Sequence, residues 1–207
     1  MSSGDVGVIV LAAGVGRRLG LGPKAHVELG GETFLARVVR CCRQAGLDAI
    51  LVVGGPRDPA IAEACASLGV ELTINTEPEL GMSSSVEVAL RAVGGDWRSG
   101  AIVFPVDVPL VEASTVASLA RAVRVAGAEA WVRPVHDGRR GHPIALGAAL
   151  SPRLLALGAG VPLRDALVAA GARSVDVPCP DRGVTMDVDT PEDLEAARAA
   201  VAWADAR

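Results

Sequence analysis

The sequence predicts an α/β domain, a mostly parallel sheet with helices on both faces. Three observations point that way. Short β-branched runs alternate with longer segments of helical period, which is the pattern of crossover-connected parallel strands. The length of 207 residues suits one sizeable core and is hard to reconcile with two, so residues 1–207 read as a single domain. Half the residues are hydrophobic, but they are mostly Ala, Val and Leu, with two Phe, three Trp and no Tyr, which predicts an aliphatic core.

In chain order, the first strand is expected at Gly7–Ala12, running directly into glycines. A helix follows from about Phe34, with Leu35, Val38, Val39 and Cys42 on one face and Thr33 as its N-cap. Further strands are expected at Ile50–Val53 and Leu72–Ile74. The segment Glu77–Ser85 then leads into a helix whose inward face carries Val86, Ala89, Leu90 and Val93. A strand at Ala101–Val106 delivers Asp107 just past its carboxyl end, and three more are expected at Ala130–Pro134, Pro143–Leu146 and Ser174–Val177. The last helix begins at Pro191: Thr190 caps it, Asp193 completes a capping box, and Leu194, Ala197 and Val201 face inward.

Composition excludes several classes of function. A net charge of -4 offers no general field for gripping nucleic acid, and aromatic platforms for single strands are missing. The longest apolar stretches, Val6–Val15 and Ala101–Val106, fall well short of the roughly 20 residues that span a bilayer. Met1–Asp5 lacks the features of a secretory signal, which points to the cytoplasm. Cys41, Cys42, Cys65 and Cys179 form no metal-ligand spacing and read as small buried hydrophobes in a reducing compartment.

Chemistry concentrates in three places. The first is the glycine turn after the first strand, Leu11-Ala12-Ala13-Gly14-Val15-Gly16-Arg17-Arg18-Leu19-Gly20, followed by Pro23-Lys24. Glycines let backbone N–H groups approach phosphate, Arg18 can fork two oxygens, and Lys24 adds a point charge. No Gly-Lys dipeptide occurs, which excludes a P-loop, and Gly14, Gly16 and Gly20 are spaced wrongly for a dinucleotide fingerprint. On spacing alone, a plain turn with two solvated cations fits equally well.

The second place is acidic. Asp107 and the cluster Asp187-Val188-Asp189 could supply the one or two carboxylates that Mg²⁺ takes from protein. Alternation puts Asp187 and Asp189 on the same side of an extended segment, so spacing does not separate them. The third place is the middle of the chain, where Ser83, Ser84 and Ser85 at a helix start are caps or nucleotide donors, and Gly138–Pro143 forms a basic turn.

These motifs, in this order from Val8 to about Ala197, resemble the nucleotidyltransferases related to molybdenum cofactor synthesis, the MobA-like family. The glycine run resembles the family's L-A-x-G-x-[GS]-x-R-[ML]-G-x-x-(P)-K signature, matched by Ala12, Ala13, Gly14, Arg18, Gly20 and Lys24. The spacing to Lys24 is one residue longer than in many members. Asp107-Val108-Pro109-Leu110 and Asp187-Val188-Asp189-Thr190-Pro191 resemble its two acidic segments, which favours Asp187 over Asp189 as a ligand.

The resemblance implies the Rossmann-like fold of nucleotide-diphospho-sugar transferases and an Mg²⁺ cofactor held by Asp107 and Asp187. It implies catalytic roles for Arg18, Lys24 and Asp107. Nucleotide contacts fall on Leu11, Ala12, Ala13, Gly14, Asn75, Gly81 and Ser85, and acceptor contacts on Arg140 and His142. The expected partners are an NTP, CTP favoured, a phosphorylated small-molecule acceptor such as molybdopterin, and transiently an enzyme that receives the product. Guanylyl-transferring relatives usually read L-A-G-G where this chain has Leu11-Ala12-Ala13-Gly14.

Overall fold

The computed structural model of the protein describes residues 5–205. Its first half comprises β1 (Val6–Ala12), a 3₁₀ turn at Lys24–His26, β2 (Glu28–Leu29), β3 (Glu32–Thr33), α1 (Phe34–Gln44), β4 (Ile50–Gly54) and α2 (Ile61–Leu68). Then come β5 (Glu71–Ile74), α3 (Met82–Val93), β6 (Gly100–Pro105) and α4 (Ala113–Ala126). The chain continues through β7 (Ala130–His136), β8 (Arg139–Arg140), β9 (Ile144–Gly147), α5 (Leu150–Leu157), α6 (Leu163–Ala169), β10 (Arg173–Pro178) and α7 (Pro191–Asp205). All seven strands expected from sequence form, with ends shifted by at most two residues. The two-residue strands β2, β3 and β8 carry too little pattern to be read from sequence.

The main sheet runs β10-β7-β9-β6-β1-β4-β5, with β8 paired onto β7. Parallel pairing joins β6, β1, β4 and β5, and β10 to β7, whereas β9 lies antiparallel between β6 and β7. Strand pleating sends successive side chains to opposite faces. In β1, Val6, Val8 and Val10 enter a core closed by α1, α2, α4 and α7, while Ile9 enters a second core with Val86, Ala89 and Leu90 of α3 and with α5 and α6. Two helix-covered faces follow from a strand that is apolar on both sides.

The helix starts behave as their sequences dictate. Thr33 Oγ1 accepts from Ala36 N at 3.2 Å, and α1 buries the expected stripe of Leu35, Val38, Val39 and Cys42. At α7, Thr190 Oγ1 accepts from Asp193 N at 3.2 Å, and Asp193 Oδ2 accepts from Thr190 N at 2.8 Å and Asp189 N at 3.1 Å. Leu194 and Ala197 are buried by this helix. Cys41, Cys42 and Cys65 are buried free thiols and Cys179 is half-buried. No helix among the described residues is long and apolar enough to cross a membrane.

Candidate active site

At the carboxyl end of β1 the chain folds back on itself. Gly16 stands at φ +59°, and a Cβ there would lie 2.2 Å from the Gly22 carbonyl oxygen, so only glycine lets the two limbs of the loop touch. Lys24 N donates to Gly14 O at 3.4 Å and Gly20 N to Gly16 O at 3.0 Å. The effect is to return Lys24 to the strand end it left ten residues earlier. Its side chain is only 9% exposed, and Nζ donates to Asp107 Oδ2 at 2.8 Å and to Asp189 Oδ1. Burial opposes the ammonium charge, but the Asp107 and Asp189 carboxylates outweigh it and hold the lysine pKa above its ordinary value. Arg18 reaches Asp189 Oδ2 at 2.6 Å from the solvent side.

Asp107 follows β6 in a turn held from both sides. Val106 N donates to Leu11 O at 3.0 Å, and Val188 N donates to Asp107 O at 2.8 Å. The incoming 184–188 segment is seated on the basic turn: His142 N donates to Val184 O at 2.8 Å, and a Cβ at Gly141 would lie 2.0 Å from that same oxygen. This packing brings Asp187, His142 and Asp107 together from three regions of the chain. Burial raises the Asp187 pKa, and the negative charge of Asp107 raises it further. Burial likewise holds the His142 pKa below the usual histidine value, against the pull of Asp187 and Asp107.

Asp187 and Asp189, which spacing leaves equivalent, occupy different environments. Asp189 is satisfied by two cations, whereas the Asp187 carboxylate has no hydrogen bond or ion pair among the described residues. Two carboxylates near enough for the charge of one to raise the pKa of the other, one of them unpartnered, are hard-oxygen donors of the kind a divalent cation suits. The described residues include no group of three or more His, Cys, Asp or Glu arranged to hold a metal. A cation between Asp107 and Asp187 therefore has to draw its other ligands from water and substrate oxygen.

Three cavities surround this cluster. One of about 220 Å³ is lined by Leu11, Ala13, Gly14, Lys24, Gly81, Ser85 and Asp107. A second, about 450 Å³, lies across Ala12, Ala13 and Gly14 against Gly55, Asp58 and Pro78. The third, about 640 Å³, runs from Gly81 and Met82 past His142 and Arg140 to Trp131, Arg133 and Leu167. Gly81 and Met82 line the first and third cavities alike, so the two meet there. Arg18 and Lys24 also line a shallow depression with Asp189.

Asn75 requires a correction. It is 2% exposed, and its amide donates to Ser84 Oγ at 2.8 Å and Ser85 Oγ at 2.9 Å while Oδ1 accepts from Glu77 N at 2.9 Å. With both N–H groups committed internally and no place in the walls of these three cavities, Asn75 holds the loop before α3. The serines are not caps either: Gly81 occupies the N-cap position without a side-chain bond, and Ser84 Oγ donates back to Gly81 O at 2.8 Å. Ser85 both accepts from Asn75 and lines the smallest cavity.

Sequence reasoning missed the wall of the 640 Å³ cavity. Arg133 lies 4.2 Å from the Trp131 ring centroid, and its Nη2 donates to Asp176 Oδ1 at 2.9 Å. Arg140 forks onto the same carboxylate through Nε at 3.1 Å and Nη2 at 3.0 Å. Trp131 and Arg133 are two apart on β7 and so share a face, the one available signal, but no motif marks them.

The Rossmann-like sheet thus gathers Arg18 and Lys24 with Asp107, Asp187 and Asp189 where its central strands end, the place at which open α/β sheets bind ligands. The chain belongs to the MobA-like NTP transferase family, whose model matches residues 8–175. A solved nucleotidyl transferase from Methanothermobacter thermautotroptrophicus superposes with a TM-score of 0.77 at 25% identity, covering 96% of this chain and 98% of that one. The bifunctional protein GlmU of Mycobacterium sp. (strain KMS) is 33% identical over 124 residues, 57% of this chain and 25% of GlmU, so the match spans about a quarter of that relative. The nicotine blue oxidoreductase of Paenarthrobacter nicotinovorans is 28% identical over 194 residues, 90% of this chain and 93% of that protein.

Proposed function

We propose that the protein is a cytoplasmic, single-domain nucleotidyltransferase that moves CMP from CTP to the terminal phosphate of a small acceptor, molybdopterin foremost, and releases pyrophosphate. The observation that carries this reading is the junction of two cavities at Gly81 and Met82. One holds Lys24, Asp107 and the glycine loop, and the other is lined by arginines. A triphosphate in the first presents its α-phosphorus to a phosphate entering from the second.

Leu11, Ala12, Ala13 and Gly14 then shape the nucleotide side with Gly81 and Ser85, while Lys24 and Arg18 neutralise the triphosphate. Asp107 and Asp187 would hold Mg²⁺, which supplies further charge neutralisation on the phosphates when bound. An acceptor phosphate oxygen forms the new bond to the α-phosphorus as the bond to the β-phosphate oxygen breaks. The acceptor's second pKa is near ~6, so it needs no general base, and His142 serves as part of the acceptor cavity's wall. Arg140 meets the acceptor's charge. The Ala13 methyl, placed between the 220 and 450 Å³ cavities, favours the smaller base cytosine.

The test is pyrophosphate release from CTP, GTP, ATP and UTP with Mg²⁺ and molybdopterin, alongside the melting-temperature shift given by each nucleotide. CTP should lead in both, and a preference for GTP would overturn the base assignment. Transfer to a sugar, polyol or phospholactate phosphate is distinguished by the acceptor that supports turnover, and a nucleotide-binding regulator by binding without release. The oxidoreductase relative favours a second reading, a redox reaction in place of nucleotidyl transfer, against which stands the glycine spacing that does not fit a dinucleotide fingerprint. Oxidation of NADH or NADPH by the protein would establish that reading and displace the first. Product handover implies a transient contact with the enzyme that receives it.

A further inference from the structure

The two cations assigned to the triphosphate are already occupied. The Asp189 carboxylate bridges them, with Oδ1 accepting from Lys24 Nζ and Oδ2 accepting from Arg18 Nη2 at 2.6 Å. One oxygen on each cation is an arrangement that a phosphate group would also adopt. Both cations and Asp189 line one depression of about 250 Å³, together with Gly16 and Arg17. The backbone that carries the carboxylate is tied on either side of it. Asp193 Oδ2 accepts from Asp189 N at 3.1 Å and from Thr190 N at 2.8 Å, and Val188 N donates to Asp107 O at 2.8 Å. Asp189 is thus presented to the glycine loop by a segment anchored to α7 and to the turn after β6.

The balance of charge is unfavourable to a bare polyanion. Arg18 and Lys24 face the carboxylates of Asp107, Asp187 and Asp189, and the charges of Asp107 and Asp189 both act on Asp187. Of the cations that line the depression, Arg17 alone has no acidic partner among the described residues. A triphosphate that takes Arg18 and Lys24 must displace Asp189, and the released carboxylate then stands uncompensated beside Asp187 and Asp107. The Arg18 half of the bridge is exposed and opens easily, whereas the Lys24 half is shielded from solvent and holds more strongly. A triphosphate that arrives with a divalent cation brings countercharge for the displaced carboxylate. A metal-free triphosphate adds its own negative charge to the carboxylates already there.

We infer that Asp189 is a resident stand-in for the triphosphate, and that by occupying Arg18 and Lys24 it makes the site discriminate against polyphosphates that arrive without a divalent cation. The inference rests on the transferase reading above and assigns a specificity-determining residue to that site. It also separates Asp189 from Asp107 and Asp187 by the sign of an effect. Removing a carboxylate that holds the metal weakens binding of the metal-loaded nucleotide, whereas removing the stand-in strengthens binding of the metal-free nucleotide. In the empty site the same bridge keeps the end of the glycine loop tied to the α7 segment, so the loop is held in place before any ligand arrives.

The experiment titrates CTP and inorganic tripolyphosphate into wild type, Asp189→Asn and Asp193→Asn by calorimetry, once in EDTA and once in Mg²⁺. Wild type should bind both ligands at least about tenfold more weakly in EDTA than in Mg²⁺. Asp189→Asn, which removes the charge and keeps the shape, should bind both at least about tenfold more tightly in EDTA than wild type does, so that the metal dependence shrinks. Asp193→Asn loosens the same segment and leaves the Asp189 charge in place, and its affinity in EDTA should stay at the wild-type value. Asp189→Ser removes the same charge and gives the same readout should the amide variant fail to fold. Unchanged or weaker binding in EDTA by the Asp189 variants overturns the inference, as does an equal gain in Asp193→Asn, which would mean that a loosened segment is the cause. Tripolyphosphate that follows the expected pattern while CTP binds in neither medium overturns the transferase reading and supports the stand-in, so the two failures are distinguishable.

Discussion

The nucleotide-facing loop and the wall of the large cavity are built by different means. The loop, from Leu11 to Lys24, is a backbone device: Gly16 at positive φ lets its limbs touch, and long-range ion pairs to Asp107 and Asp189 pin its end. The wall is a side-chain device, made of an indole, three arginines and aliphatic groups projecting from β7, β8 and α6. Backbone devices tolerate few residues and therefore leave a spacing signature. Side-chain devices can be made from many residue types, and that freedom is where a family can vary its substrates without disturbing its frame.

The contrast can be tested by perturbing each side in turn. Asp107→Asn should lower kcat for pyrophosphate release at least about 100-fold, because it removes charge where the triphosphate is handled. Gly16→Ala should cost about 2 kcal/mol and lower the melting temperature by roughly 4–8 °C, from positive φ together with the collision with Gly22. It should also weaken CTP stabilisation, which ties backbone form to ligand binding. On the other side, Arg140→Ala should raise the acceptor KM about tenfold while CTP-induced stabilisation stays constant. A loss of CTP stabilisation in that variant would mean that the two sides are not separable.

Smaller effects bear on how the acidic segment is held. Thr190→Ala removes the cap of α7 and should cost about 1 kcal/mol, a fall of some 2–4 °C in a chain of this size. The Asp193 carboxyl is held below the usual carboxylate range by hydrogen bonds from the Thr190 hydroxyl and from the backbone N–H groups of Asp189 and Thr190. Its folded pKa lies under the unfolded value of about 3.9, so its contribution is present above that pH and is lost as pH falls through the folded value. Melting curves of wild type and Asp193→Asn should differ near neutrality and converge in acid.

What could be read from sequence follows the same division. Seven strands, the starts of α1 and α7, and helices on both faces of the sheet were legible because pleat and helix periods repeat over many residues, whereas the division of the interior into two clusters was not. Lys24, Arg18, Asp107 and Asp187 were legible as candidates because the residues around them serve backbone needs of fixed spacing. The separation of Asp187 from Asp189 was not, since it depends on which of two equivalent carboxylates meets Lys24 across 165 residues. Asn75 read as a ligand contact from the family resemblance, because Ser84 and Ser85 lie nine and ten residues away and only folding shows that they take up its amide. Trp131 and Arg133 carried no signal beyond strand alternation, which core residues share.

The pairing of Lys24 with Asp189 also sets a timetable. The glycine loop leaves the ribosome early, and its buried lysine meets one of its two carboxylate partners only after 165 further residues have been made. At typical synthesis speeds that interval is roughly 10–30 s. Until then an ammonium group meant for the interior has Asp107 at most for company, and the early strands must hold their places without it. The clamp on the loop can close only when the segment carrying Asp189 docks, so the charge network waits on most of the chain.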